Sequence, residues 1–199
     1  MTEHARTSRR TQAVRSATTR AALGDAAIDV LQERGWAAVT AAEVCERAGV
    51  SRGAFHHHYD GLPSLLADAL RHLYGEISGR LRREPTDLTE LIDATWRVVG
   101  NHRFKAVLEA WLATANDPSL RDEMGPVIAE FAELVSSESL APNVLADDGS
   151  REYHLLARET LLGLALGRAT NRGRPLPHEA AVLRRLRAGA EAVTAAGRR

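Results

Sequence analysis

The segment from Thr40 to Tyr59, TAAEVCERAGVSRGAFHHHY, admits very few folds, because it carries two helix starts separated by a glycine stop. Thr40 followed by Glu43 is a capping box: the hydroxyl accepts from an early helical N–H while the carboxylate reaches back to the amide of the cap. Helix two is therefore expected to start near Ala41. It ends at Gly49, since a residue without Cβ suits a tight turn of positive φ. Ser51 offers a second cap, for a third helix from Arg52 to about Tyr59. Val44 with Ala48 and Phe55 with Tyr59 lie four apart, so each short helix presents an apolar stripe to the other. Cys45 is expected at their junction as a small buried residue. This is a helix-turn-helix unit.

Upstream, Leu23, Ala27, Val30, Leu31 and Arg34 recur at helical spacing until Gly35, which predicts a longer first helix. Residues 1–18 hold Arg6, Arg9, Arg10 and Arg15 against the single acid Glu3 and read as a flexible basic arm. Downstream, Leu62, Leu65, Leu66, Ala69, Leu70 and Leu73 make a fourth helix, with Pro63 in its first turn. Further starts are expected at Thr86 and at Asp117-Pro118, with a break over Asn101 to Arg103. After a polar loop, SSESLAPNVLADDGS, two last helices are predicted, from Tyr153 to about Thr170 and from His178 to about Ala195. Strand-like alternation is absent. The expected fold is all-α with about nine helices: an arm over 1–18, a helix-turn-helix domain over 19–66 and a helical bundle over 67–199.

Lys+Arg 26 balance Asp+Glu 26, so no global field points to a nucleic-acid partner and local charge must do so instead. One cysteine rules out an internal disulfide and a multi-cysteine zinc site. The N-terminal residues contain no signal-peptide core, and the run LLGLALG is too short to span a bilayer, so a cytoplasmic protein is expected, with no membrane partner. His56, His57 and His58 attract metal and catalytic readings. On a helix consecutive side chains diverge by roughly 100°, so they do not converge on one ion. No GxSxG, GxxxxGK[ST] or GxGxxG signature accompanies them, and neither an enzyme nor a cofactor is expected. What remains is a helix with Phe55 and Tyr59 on its apolar side and Ser51, Arg52, Gly53, Ala54 and the histidines elsewhere. Such a face suits the major groove, where arginine bonds guanine and small residues admit close approach.

The run RAALGDAAIDVLQERGWAAVTAAEVCERAGVSRGAFHHHYDGLPSLLADAL resembles the DNA-binding domain of the TetR family of transcriptional repressors nearly end to end. The shared features are Gly35-Trp36 closing helix one, the capping Thr40, the AGVS turn, the helix RGAFHHHY and a leucine-rich fourth helix. The resemblance implies that helix three enters the major groove, with Arg52, Gly53 and His57 at base edges, His56 and His58 against phosphates, and Thr40 touching the backbone. Two positions depart from the family pattern: His56 stands where Tyr is common, and Leu62 where a Lys contacts phosphate. Arg9, Arg10 and Arg15 are expected to supply the missing charge, the minor groove being one route.

A single reader covers one half-site, so a two-fold dimer is expected. Leu156, Thr160, Gly163, Leu164 and Gly167 on one of the last helices, with Leu183, Leu186, Ala190 and Val193 on the other, form candidate stripes for it. The resemblance implies a four-helix dimer bundle from these helices. It also implies a small-molecule site between the reader and the dimer helices, where Trp96, His102, Phe104, Leu108, Trp111, Met124, Ile128 and Phe131 collect. The chain thus reads as a dimeric repressor that binds palindromic operator DNA and is released by an effector. The alternative is a small-molecule-binding or enzymatic α-helical protein with a vestigial reader.

Overall fold

The computed structural model describes residues 3–79, 84–134 and 141–197, with the side chains of 3–11, 78 and 134 outside that description. Among the described residues there are nine α-helices, one short 3-10 turn and no strand. They are α1 (Glu3–Arg34), the turn Trp36–Ala38, α2 (Ala41–Ala48), α3 (Arg52–His58), α4 (Leu62–Gly79), α5 (Leu88–Val99), α6 (Phe104–Asn116), α7 (Pro118–Leu134), α8 (Asp148–Thr170) and α9 (Glu179–Gly197). None is long and apolar enough to cross a membrane.

The chain divides into two compact units, Met1–Leu73 with Glu109–Val127, and Tyr74–Leu108 with Ile128–Arg199. The sequence suggested instead a contiguous break after residue 66; residues 109–127 join the reader's unit, where the Glu109 carboxylate accepts the Trp36 N–H at 3.3 Å.

In the first unit α1 packs its Leu23, Ala27, Val30 and Leu31, all fully buried, into the core, and α4 contributes Leu65, Leu66 and Leu70. The helix does not begin near Leu23. It runs unbroken from Glu3, so the expected arm is a helical extension. Residues 3–22 contain neither Gly nor Pro and are rich in Ala and Arg, which favour helix without any buried face. Thr18 and Thr19 turn their hydroxyls back onto the carbonyls of Val14 and Arg15, each at 3.0 Å.

The second unit is built on α5, α8 and α9, which pack on one another. Helix α5 starts at Leu88, after Asp87, whose carboxylate accepts Glu90 N–H at 2.8 Å, while Glu90 reaches back to the amide and hydroxyl of Thr86. Helix α8 starts at Asp148 rather than Tyr153, because Asp147 caps Ser150 N–H at 2.9 Å and accepts its hydroxyl. The loop before it is not wholly polar in its packing: Ala141 and Leu145 are buried. Arg168 clamps this unit, holding Glu179 with two bonds at 2.5–2.6 Å, donating to Gly100 O at 2.8 Å and lying 4.8 Å from the Trp96 ring centre. The pair holds the Glu179 carboxyl below its usual range and Arg168 above its own.

Candidate nucleic-acid interface

Both caps expected in the Thr40–Tyr59 segment form. The Thr40 hydroxyl accepts Glu43 N–H at 3.1 Å, and Ser51 accepts Ala54 N–H at 3.2 Å. Only the first half of the capping box is used, because the Glu43 carboxylate goes to Arg34 at 2.8 Å. Together with Arg47 on Glu33 at 2.7 Å, that pair ties α2 to the end of α1.

Between the helices Gly49 sits at φ 64, ψ 32, in the left-handed region. Its N–H donates to Glu46 O at 3.2 Å and that of Val50 to Cys45 O at 2.9 Å, the paired bonds of a Schellman turn. Cys45 is 4% exposed, and burial pushes its thiol above the ordinary value.

Beyond the turn, Phe55 and Tyr59 point into the unit at 1% and 6% exposure. The Tyr59 hydroxyl donates to Asp68 at 2.6 Å, and Arg20 donates to the same carboxylate oxygen at 2.8 Å with its guanidinium 5.9 Å from the Tyr59 ring centre. Burial raises the Tyr59 phenol to about 12. Although desolvation opposes it, the two donors hold Asp68 below its ordinary value. This junction joins the end of α3 to α1 and α4 through residues 48 positions apart in sequence, which no local pattern reveals.

Because the apolar pair of α3 is anchored, its other residues face out. Thr40, Ser51, Arg52, Gly53, His56 and His57 are exposed, and Ala54 and His58 half-buried. His57 and His58 stand edge to face, ring centres 5.1 Å apart. An open cleft of about 460 Å³ runs beside them, lined by Gln12, Ala13, Arg15, Ser16 and Thr19 of α1 with His57 and His58 of α3. Arg15 is exposed, whereas the side chains of Arg9 and Arg10 lie outside the described residues. Leu62, which stands where the family pattern has a cation, is half-buried.

The remaining candidates separate. Of the expected dimer residues, Leu156 is 60% exposed and Gly163 exposed, and Thr160, Leu183 and Val193 are half-buried. Leu164, Leu186 and Ala190 instead turn into their own unit. Gly167 is small for an internal reason, since a Cβ there would stand 2.5 Å from Leu176 Cδ1. Leu155 and Leu166, which the stripe omitted, are 45% and 47% exposed on α8. Of the expected ligand-site residues, Phe104, Met124 and Phe131 are buried, Trp96, Leu108, Trp111 and Ile128 half-buried, and His102 exposed. Trp111 and Met124 belong to the first unit and the others to the second. Phe131 stacks on Tyr74 at 4.0 Å, and Trp96 carries Arg168 on its face.

Comparison with known proteins agrees with this geometry. The family model described as bacterial regulatory proteins, tetR family, matches residues 23–68. The HTH-type transcriptional regulator CymR of Pseudomonas putida is 36% identical over 168 residues, 79% of this chain and 83% of that protein. The regulator BetI of Rhizobium meliloti (strain 1021) is 29% identical over 66% of this chain and 69% of its own length. A transcriptional regulator from Rhodococcus sp. Rha1 shares the fold, with a TM-score of 0.67 at 23% identity, over 87% of this chain and 95% of that one.

Proposed function

The chain belongs to the TetR family of bacterial transcriptional regulators, and from that premise we propose that it is a repressor that binds a palindromic operator as a homodimer and is released by a small molecule. One observation carries the reading: α3 and the residue that caps it bury Phe55 and Tyr59 while Arg52, Gly53, His56 and His57 face solvent. The exposed set includes an arginine fork for guanine and a residue without a side chain where the backbone must approach the groove. His56, His58, Thr40 and Ser51 flank it as phosphate contacts, with Ala54 as a small residue beside the bases.

Neutral net charge does not oppose this, because the reader's charges cancel locally in pairs. Arg20, Arg34 and Arg47 are each matched to an acid. Arg15 and Arg52 are in no ion pair among the described residues.

For the dimer we assign the exposed strip of α8, Leu155, Leu156, Gly163 and Leu166, with Thr160, Leu183 and Val193 beside it. Leucines left this open on one helix face are more apolar surface than a lone monomer gains from exposing. For the effector we assign Leu108, Ile128, Tyr74 and Phe131 of the second unit, the last two stacked on each other, rather than Trp96. The site of action is the cytoplasm, where the DNA is.

The test is footprinting on DNA flanking the protein's own gene. A protected stretch with two-fold symmetry is expected, shortened or lost when a compound that raises the melting temperature is added. Absence of sequence-specific protection even at low salt would overturn the reading.

A further inference from the structure

Helix α3 ends in three consecutive imidazoles and holds one permanent cation, Arg52, so most of its charge is set by pH. His56 and His57 are exposed and His58 is half-buried. Their ring contacts are with Phe55 and with each other. None of the three is in an ion pair among the described residues. Elsewhere in the reader Arg20, Arg34 and Arg47 spend their charge on acids.

The elements around α3 bring no other group that titrates near neutrality. From α1, Arg15 lines the cleft shared with His57 and His58, and the described lining holds no acid. Arg20 of α1 and the Tyr59 hydroxyl both donate to Asp68 of α4, one residue beyond His58. Against desolvation, those two donors hold Asp68 below its ordinary value, and burial raises Tyr59 to about 12. From α2, the Cys45 thiol feels the Arg52 charge, but burial pushes it above its ordinary value and it stays protonated. Asp60, exposed, follows Tyr59 on the chain. Among side chains, the imidazole is the one that ordinarily changes charge between pH 6 and pH 8. The phosphodiesters of DNA keep theirs throughout.

We propose that the reading helix is a proton-linked switch: His56, His57 and His58 take up protons when it meets DNA, so the operator is held more tightly in mildly acidic than in mildly alkaline solution. The inference rests on the operator-binding reading above and adds regulation to it. A groove walled by phosphates favours a charged ring over a neutral one. The complex then binds more protons than its separate parts, and by linkage affinity rises as the pH falls. Each histidine that holds its proton about ten-fold more tightly in the complex strengthens binding about six-fold between pH 8 and pH 6. Each proton is also one more cation that displaces counterions, so the salt dependence steepens in acid by up to about 0.9 per histidine. Lysine or arginine in these places would give affinity without that response.

The test is equilibrium binding of the full chain at pH 6, 7 and 8, between 50 and 200 mM salt, to the duplex protected in footprinting and to a random duplex of equal length. The proteins are the native sequence, His72→Gln, His58→Lys and the triple variant His56→Gln/His57→Gln/His58→Gln, with circular dichroism at each pH to check folding. The native chain, and His72→Gln with its exposed α4 histidine removed, are expected to bind both duplexes at least about six-fold more tightly at pH 6 than at pH 8. Their salt slope is steeper at pH 6. The triple variant binds equally at both pH values. His58→Lys binds more tightly than the native chain at pH 8 and loses part of the pH response. A flat native profile, a response that survives in the triple variant, or an undiminished one in His58→Lys overturns the proposal. If footprinting protects no duplex, the operator reading fails instead, and the proton linkage is judged on the random duplex by the same comparison.

Discussion

Replacing Gly49 by alanine isolates the turn on which the projection of α3 depends. At φ 64 and ψ 32 an L-residue with a Cβ is held in the left-handed well, which costs roughly 1–2 kcal/mol. Nothing lies within 4 Å of where that Cβ would be, so no steric term is added and the conformational cost stands alone. Alanine also narrows the unfolded ensemble, which returns about 0.5 kcal/mol. The net expectation is a loss of about 1 kcal/mol, or roughly 2–4 °C in melting temperature for a chain of this size. Asparagine, which tolerates this region, should lose less than half as much, and valine more than alanine. The control is Gly53→Ala, the same chemical change made inside α3, where the nearest atom to the new Cβ is Ser51 Oγ at 3.9 Å. There helix propensity dominates and alanine should stabilise by up to about 1 kcal/mol. Urea denaturation followed by circular dichroism reads all four. Equal stability of Gly49→Ala and the native chain, or no ranking of asparagine over alanine, would refute the reasoning.

Other consequences are reached by similar measurements. His154 is 1% exposed, and burial, with the Arg158 charge adding, depresses its imidazole from 6.5 to about 4. Between those values the unfolded chain takes up a proton that the folded chain refuses, so stability falls as the pH drops through that window, by at most about 3 kcal/mol. Urea titrations at pH 7, 5.5 and 4.5 should show this loss, and His154→Leu should lack that part of it; parallel profiles would contradict the assignment. Cys45→Leu overfills the α2–α3 junction and should cost roughly 1–3 kcal/mol, so an unshifted melting curve would count against the packing described.

Much of the reader was legible because its signals are local. Thr40, Gly49 and Ser51 each act on backbone groups within a few residues, and a capping hydroxyl or a left-handed turn is written at the position where it works. The start of α8 is equally local, in Asp147 and Ser150, but the polar composition around it reads as loop. The first turns of α1 were harder, since a polar helix leaves no apolar stripe to count. The Tyr59–Asp68–Arg20 junction and the Arg168–Glu179 clamp on Trp96 depend on tertiary neighbours, as does the inward turn of Leu164, Leu186 and Ala190. Helical periodicity marks an apolar stripe; it does not say which neighbour the stripe meets.

The central claim is that the solvent face of α3 reads base edges, and the most direct measurement is the binding of Arg52→Ala to the operator, to operators with single base-pair changes, and to a random duplex. The account predicts a loss of roughly 1–3 kcal/mol of discrimination at one base pair per half-site, with much smaller change on the random duplex. Equal losses on operator and random DNA, with discrimination intact at every position, would contradict it.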